Sequence, residues 1–288
     1  NMKYHLIIGF GKWSKKIISF LQKKKLFSKI YIKTRHYYFE LDSKKKIHNK
    51  EFDRIQKKID SIHICTPVKS HYFYIKKFSK IKRIIVEKPF LTNLSQLKKI
   101  ENIYSSKTLL LVNYTYLFSP IFNNLTREIY KKTNDKIIIN FSKKNNFYKK
   151  KYDSINDWLD HPLSIILYLF KNFSEFKIIK KEFVKKKDFY EKVIINYLYD
   201  NLIVQIKINT STINTKNIIV INNSKKKVYD FNSNSIFLKK KKIFKSNKSS
   251  FENLYFVLKN NKKISFQNFN FHKKIIAEKN KIIRKIKK

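Results

Sequence analysis

Glycine occurs only twice in 288 residues, at Gly9 and Gly11, and this scarcity constrains the fold more than any other feature. Glycine alone tolerates left-handed backbone and close main-chain approach without steric cost. A chain that has shed it elsewhere is expected to keep it where nothing else fits. Both glycines lie in Ile7-Ile-Gly-Phe-Gly-Lys-Trp-Ser14. Tyr4 to Ile8 reads as an apolar strand. The following stretch sets Ile17, Ile18, Phe20 and Leu21 on one side of a helix and lysines on the other.

Strand, G-x-G-x-x-S, helix is the arrangement of a dinucleotide-binding turn. Gly9 would permit the tight turn and Gly11 the approach of a pyrophosphate to bare main chain. Ser14 would be small enough for close helix–strand packing, with Phe10, Lys12 and Trp13 completing the loop. The helix N-terminus then presents N–H groups and a positive dipole end to the phosphates. An ordinary tight turn is the competing reading. The next strand, Lys29 to Arg35, ends in Thr34 and Arg35 where an NAD-binding domain usually places an acidic residue. A hydroxyl and a guanidinium suit a 2′-phosphate, so NADP(H) is expected ahead of NAD(H). Arg35 as one more solvated cation is the alternative.

The alternation continues. Glu51 to Lys58 reads as helix, Ser61 to Cys65 as strand closed by Thr66-Pro67, and Ser70 to Phe78 as helix. Ile84 to Pro89 reads as strand, Leu94 to Tyr104 as helix and Thr108 to Val112 as strand. This spacing predicts a doubly wound parallel sheet. In such sheets ligands bind beyond the carboxyl ends of the strands, where Thr66-Pro67 and Glu87-Lys88-Pro89 fall.

The composition narrows the class. No apolar run approaches the roughly 20 residues of a membrane span. No leader is expected, because the opening residues run straight into the first strand pattern. The lone Cys65 cannot form an internal disulfide, which fits a reducing, cytoplasmic compartment. Against 66 Lys+Arg stand 20 Asp+Glu, a formal charge of +46. One reading is a nucleic-acid or anionic-surface binder. The other is compositional drift, because the lysines are spread along the whole chain amid abundant Asn, Ile, Phe and Tyr. No Cys/His cluster has metal-ligand spacing, so no metal is expected. No nucleophile elbow supports a Ser-His-Asp triad.

Five ordered features together resemble the family of glucose-fructose oxidoreductases and inositol dehydrogenases, Gfo/Idh/MocA. They are Gly9-Phe-Gly-Lys-Trp-Ser14; Ile64-Cys-Thr-Pro67 followed by His71; Val86-Glu-Lys-Pro89; Val112-Asn-Tyr-Thr-Tyr-Leu-Phe-Ser-Pro120; and Asp157-Trp-Leu-Asp-His161-Pro-Leu-Ser164. The resemblance implies an α/β chain. Residues 1–117 would form a Rossmann domain with a doubly wound parallel sheet. Residues 118–288 would form an α/β domain with an open, mostly antiparallel sheet, its C-terminal helix packing back on the first domain. The pattern agrees. Lys136 to Phe141, Phe176 to Val184, Lys192 to Tyr199, Leu202 to Asn209, Asn217 to Ile221 and Lys227 to Phe231 read as strands. Phe251 to Leu258 and Phe271 to Ile286 read as helices, with Lys279 to Lys288 as a possible basic tail.

The family's chemistry is implied residue by residue. Lys88 would reach the reacting hydroxyl or carbonyl beside the nicotinamide, where an ammonium can donate to a developing alkoxide. His161 would move the hydroxyl proton. Asp157, four residues earlier, would orient that imidazole or bind a second substrate hydroxyl. His161 is expected near the start of a helix from Leu163 to Phe170, with helix capping as its alternative role. Thr66 and Pro67 would border the nicotinamide, and Glu87 would help bind the cofactor. His71 either shapes that wall or packs as a hydrogen-bonded histidine. Tyr116 would touch substrate near the domain junction. His5 and His63 are expected to be core residues. The expected partner is a small sugar-like substrate, with homodimers or homotetramers forming through the second sheet.

Relatives carry a small residue where this chain has Leu159 and Asp160, and often an aspartate at Pro162. These departures keep open a second reading, a dinucleotide-binding relative without catalysis. A basic nucleic-acid binder is a third, although no reader helix, zinc finger or RNA-stacking motif accompanies the charge.

Overall fold

A strand period running into a helical period across a glycine turn is what starts a βαβ unit, and the first such unit organises everything around it. The computed structural model describes residues 2–103, 108–131, 135–143, 153–187, 189–210, 214–262, 264 and 267–286. Two compact units emerge. One holds Asn1–Tyr114 with Leu254–Ile276, the other Thr115–Asn253 with Ala277–Lys288.

The first unit runs β1 (Met2–Ile8), α1 (Lys12–Lys24), β2 (Phe27–Lys33), β3 (Tyr38–Glu40), β4 (Lys46–Ile47), α2 (Asn49–Gln56), β5 (Ile59–Ile64), α3 (His71–Lys77), β6 (Arg83–Glu87), α4 (Leu94–Ile103) and β7 (Leu109–Asn113). The sheet order is β4-β3-β2-β1-β5-β6-β7. β2, β1, β5, β6 and β7 are parallel, while β3 and β4 add an antiparallel edge that the sequence pattern did not suggest. Strand order reverses beside β1, so the glycine turn stands at the topological switch point where doubly wound sheets bind ligands. Leu6, Ile7 and Ile8 of β1 and Ile17 and Leu21 of α1 are fully buried, as a parallel sheet covered by helices requires. The expected helix end at Tyr104 lies outside the described residues.

In the second unit follow α5 (Phe122–Lys131), β8 (Lys136–Ser142), α6 (Asp160–Phe170), β9 (Lys177–Lys186), β10 (Phe189–Tyr199), β11 (Leu202–Asn209), β12 (Thr215–Asn222), β13 (Lys225–Asp230), β14 (Ser235–Leu238) and β15 (Lys241–Lys245). Helices α7 (Ser250–Lys259) and α8 (Phe269–Ile286) close the chain, each shared between the two units. Lys287 and Lys288 of the expected tail lie outside the described residues. The order β15-β14-β13-β12-β8-β11-β10-β9 is antiparallel except for β8 beside β11. In β8, Ile137, Ile139 and Phe141 are buried and their neighbours are not, the period-2 signature of a sheet with one covered face.

Three differences from the sequence pattern have physical causes. β15 was missed because five lysines crowd Leu238 to Lys245, and β14 because it spans only four residues. Those lysines lie on or beside β15, at one sheet edge, and β9 at the other edge is also lysine-rich. Both are mostly exposed. Charge at an edge strand blocks pairing with another chain, so part of the basic excess has a structural use. α6 begins at Asp160, three residues early, because a π-helical turn, Ser154–Trp158, leads into it. β2 ends at Lys33, which leaves Thr34 and Arg35 beyond the strand.

Candidate functional site

The two glycines do different work. Gly9 adopts φ +101°, a conformation L side chains rarely take, and its N–H donates to Lys33 O at 2.8 Å. A Cβ there would stand 2.9 Å from the carbonyl oxygen of Cys65. The residue is wedged between the ends of β2 and β5. Gly11 has ordinary extended backbone, φ −89°, and a Cβ would meet nothing within 4 Å. It caps α1 without a side-chain hydrogen bond. Ser14 is fully buried, its hydroxyl donating to Gly11 O at 2.8 Å. Phe10, Lys12 and Trp13 are exposed along the same turn. The fold itself therefore needs Gly9, whereas Gly11 leaves a bare patch of main chain open at a helix N-terminus.

Beyond β2, the Thr34 hydroxyl donates to Tyr37 O at 2.9 Å and accepts from Tyr37 N–H at 3.1 Å. It is engaged in its own turn, so Arg35, exposed, is the better placed of the two for an anion. Lys33 lies 4.7 Å from the Tyr38 ring centroid. Burial, then the nearby Lys77 ammonium, holds the Lys33 amine below its ordinary pKa.

At the carboxyl ends of β5 and β6, His71 is buried with carbonyl oxygens facing both ring nitrogens. Thr66 O lies 2.8 Å from Nε2, and Pro89 O and Phe90 O lie 3.0 and 3.1 Å from Nδ1. It thereby ties the Thr66-Pro67 and Glu87-Lys88-Pro89 segments together. Ser70 Oγ–H donates to Thr66 Oγ1 at 2.8 Å. Lys88 is half-buried and joined to Pro89 by a cis peptide. Glu87 Oε1 lies 2.9 Å from His63 Nε2 and accepts from Asn113 Nδ2 at 2.8 Å.

Sequence reading took His63 as packing and did not single out Asn113 or Tyr255. The signal was present in β5: a histidine between Ile62 and Ile64 of a largely buried strand, two residues before Cys65 and so on the same face of the pleat. The donor atoms of His63, Cys65 and Glu87 lie within 4.8 Å of one another. No sequence spacing reveals this, because the three come from two strands. The trio suits a metal poorly. The histidine and carboxylate already share a hydrogen bond, which a shared metal would have to break.

In the second unit, His161 is buried near the start of α6 among three rings. The centroid of Tyr116 is 4.6 Å away, and those of Phe141 and Trp158 are each 5.9 Å away. Burial pushes the Tyr116 hydroxyl pKa up. Asp157 Oδ2 accepts from Asp153 N–H at 2.9 Å, while Asp153 Oδ1 accepts from the N–H groups of Ile155 and Asn156. Asp157 thus forms part of the cap of the turn before His161. Its neighbour Asp160, absent from the sequence-derived site, is ion-paired to Lys279.

Comparison with known proteins bears on the fold. Residues 4–114 match the family model described as "Oxidoreductase family, NAD-binding Rossmann fold". Among curated proteins none matches the sequence. Solved structures share the fold over almost the whole chain. A dehydrogenase (MviM) from Clostridium difficile superposes with a TM-score of 0.79 at 18% identity, covering 99% of each chain. UDP-N-acetylglucosamine 3-dehydrogenase from Acidithiobacillus ferrooxidans gives 0.76 at 12% identity, covering 98% of this chain and 96% of that one. A Gfo/Idh/MocA family oxidoreductase from Vibrio cholerae gives 0.70 at 13% identity over the full length of both. No described helix is long and apolar enough to cross a membrane.

Proposed function

We propose, from an amino-terminal segment, residues 4–114, that matches the Gfo/Idh/MocA oxidoreductase family model, that the chain is a nicotinamide-dependent oxidoreductase acting on a hydroxyl-bearing carbon of a sugar, nucleotide sugar or similar polyol. The observation that carries this reading is Gly11. Nothing in the fold requires a glycine there, since its φ is ordinary and the space beside it is empty. The missing side chain makes sense if a diphosphate lies against that main chain at the N-terminus of α1.

The Gly9 to Ser14 turn would hold the diphosphate, and Thr66, Pro67, His71 and Glu87 would border the nicotinamide. When bound, the coenzyme supplies or accepts the hydride. Lys88 donates a proton to the alkoxide forming in the reduction direction and takes it back in oxidation. His161, with Asp157 and Tyr116 beside it in sequence or space, is assigned to the substrate hydroxyl on the strength of the family resemblance. Arg35 favours NADP(H) over NAD(H). The structural likeness to a UDP-N-acetylglucosamine dehydrogenase makes nucleotide sugars the first class to assay. Pairing of two copies through the second sheet belongs to the same reading, and analytical ultracentrifugation tests it.

The decisive experiment is Gly11→Val followed by NADPH fluorescence titration and thermal melting. The expected result is an unchanged melting temperature with dinucleotide binding abolished. Undiminished NADPH binding by a folded variant would overturn the reading. A second reading has one observation in its favour. Asp157 has one carboxylate oxygen committed to capping, which suits a dinucleotide-binding relative without turnover. That relative would bind NADPH and oxidise no sugar in a substrate screen.

A further inference from the structure

The first unit contains a line of polar side chains inside a sheet face that should be apolar. Ser61 Oγ lies 2.7 Å from His5 Nδ1, and His5 Nε2 lies 3.5 Å from the Tyr255 hydroxyl. That hydroxyl lies 2.8 Å from His63 Nδ1, and His63 Nε2 lies 2.9 Å from Glu87 Oε1. His5, Ser61 and His63 are fully buried and Tyr255 is 1% exposed. The line crosses three strands and the returning helix α7, and it ends one residue before Lys88. Burying polar groups this deeply costs stability unless each is satisfied.

Its polarity follows from counting hydrogens. Glu87 Oε1 already accepts from Asn113 Nδ2, so towards His63 Nε2 it offers an acceptor rather than a hydrogen. His63 therefore carries its proton on Nε2. Burial, then the charge of Cys65, holds the Tyr255 hydroxyl pKa well above the ordinary phenol, so it remains a donor. It supplies the hydrogen that His63 Nδ1 accepts, and with both nitrogens satisfied the ring is locked in orientation. Glu87 Oε2 takes no hydrogen bond from any described residue, and the Glu87 side chain is 12% exposed. One oxygen is pinned from inside, and the other is left without a hydrogen bond from any described residue.

We propose that His63, steered by Tyr255, is a positioning residue that fixes the Glu87 carboxylate as an acceptor for a hydroxyl group of the bound dinucleotide. This rests on the coenzyme reading above and adds to it a dependence on helix α7, 192 residues away in sequence. An imidazole that only filled space would be replaceable by any side chain of its volume. A positioning imidazole is replaceable only by a donor.

The test uses the full chain, NADPH as the probe, and the variants His63→Leu, His63→Gln and Tyr255→Phe. Long-range proton–nitrogen correlation spectra of the wild type should place the His63 proton on Nε2, and Tyr255→Phe should move the Nδ1 resonance. His63→Leu should weaken NADPH binding about tenfold and Tyr255→Phe about threefold, while His63→Gln, an amide donor, returns to within about threefold of wild type. Should His63→Leu fail to fold, His63→Gln and Tyr255→Phe still decide the matter. A proton found on Nδ1 alone overturns the proposal, as does unaltered NADPH affinity in folded His63→Leu or in Tyr255→Phe. If the wild type shows the Nε2 proton yet binds no NADPH, the coenzyme reading itself has failed and the positioning role falls with it. The spectra separate that outcome from a wrong assignment of the hydrogen bonds.

Discussion

Lys279 Nζ meets Asp160 Oδ2 at 2.7 Å across 119 residues of sequence, with the side chains only 13% and 5% exposed. The pair anchors the first residue of α6, next to His161, to helix α8. Removing one partner leaves the other charge buried without compensation, the costly way to break an ion pair. Lys279→Ala should lower unfolding free energy by about 3 kcal/mol in denaturant titrations. The exposed pair Lys45–Glu51 supplies the control: Glu51→Gln should change stability by less than about 1 kcal/mol. Equal effects would show that burial of the first pair has been overstated.

The glycines should separate folding from binding. Gly9→Ala brings a Cβ against backbone and forces a positive φ on an alanine, so it should destabilise by about 2 kcal/mol or more. Gly11→Ala should leave the denaturation midpoint close to wild type. The reverse ranking would contradict the local geometry of the turn.

Acid should loosen the first unit. His272 is fully buried, its Nε2 has no hydrogen-bond partner among the described residues, and burial lowers its pKa to about 3 from 6.5. His5 is lowered too, by burial and then by His63. Both stay neutral in the fold while the unfolded chain takes up protons near pH 6.5. Their contribution is complete above that pH and is lost as pH falls, for His272 toward its folded value of about 3. Melting temperature should therefore drop steadily below about pH 6.5, and His272→Phe should flatten the drop. An equally steep profile in that variant would remove His272 from the explanation.

Coenzyme preference should follow Arg35. Replacement by aspartate places a carboxylate where a 2′-phosphate would sit, and should lower NADPH affinity about tenfold or more while sparing NADH. Isothermal titration with both coenzymes measures this, and an unchanged ratio would dismiss the 2′-phosphate argument.

Turnover should depend on Lys88. Lys88→Met keeps the length of the side chain and removes its proton, so kcat should fall at least about a hundredfold, with NADPH affinity changing far less. Near-normal turnover would reassign the proton transfer.

The sequence made the first unit legible because β1 and α1 show two clean periods separated by the chain's only glycines, and because Thr66-Pro67 and Glu87-Lys88-Pro89 punctuate two strand ends. β15 stayed hidden behind its lysines, since an edge strand need not alternate when neither face is covered, and β14 is only four residues long. The pairings that complete the candidate site were illegible for a different reason. His63 meets Tyr255, and Asp160 meets Lys279, through tertiary contacts that no window of sequence spans. Only the presence of a histidine in a buried strand hinted that a distant partner had to exist. The Thr34 hydroxyl, read as a phosphate ligand, is claimed by the turn that follows it, a local competition that threonine commonly wins.

The first unit is stitched from two stretches of chain, Asn1–Tyr114 and Leu254–Ile276. A ribosome delivers the second stretch only after Thr115–Asn253 of the other unit has been made. The nascent coenzyme-binding half must therefore wait, with its β5 histidine lacking the phenol that completes it and the main chain of Val112 lacking the Gln267 amide that will bridge it. Maturation of that half is thus a late event in synthesis, and a premature stop anywhere before α7 would release a Rossmann sheet with one polar seam unsealed.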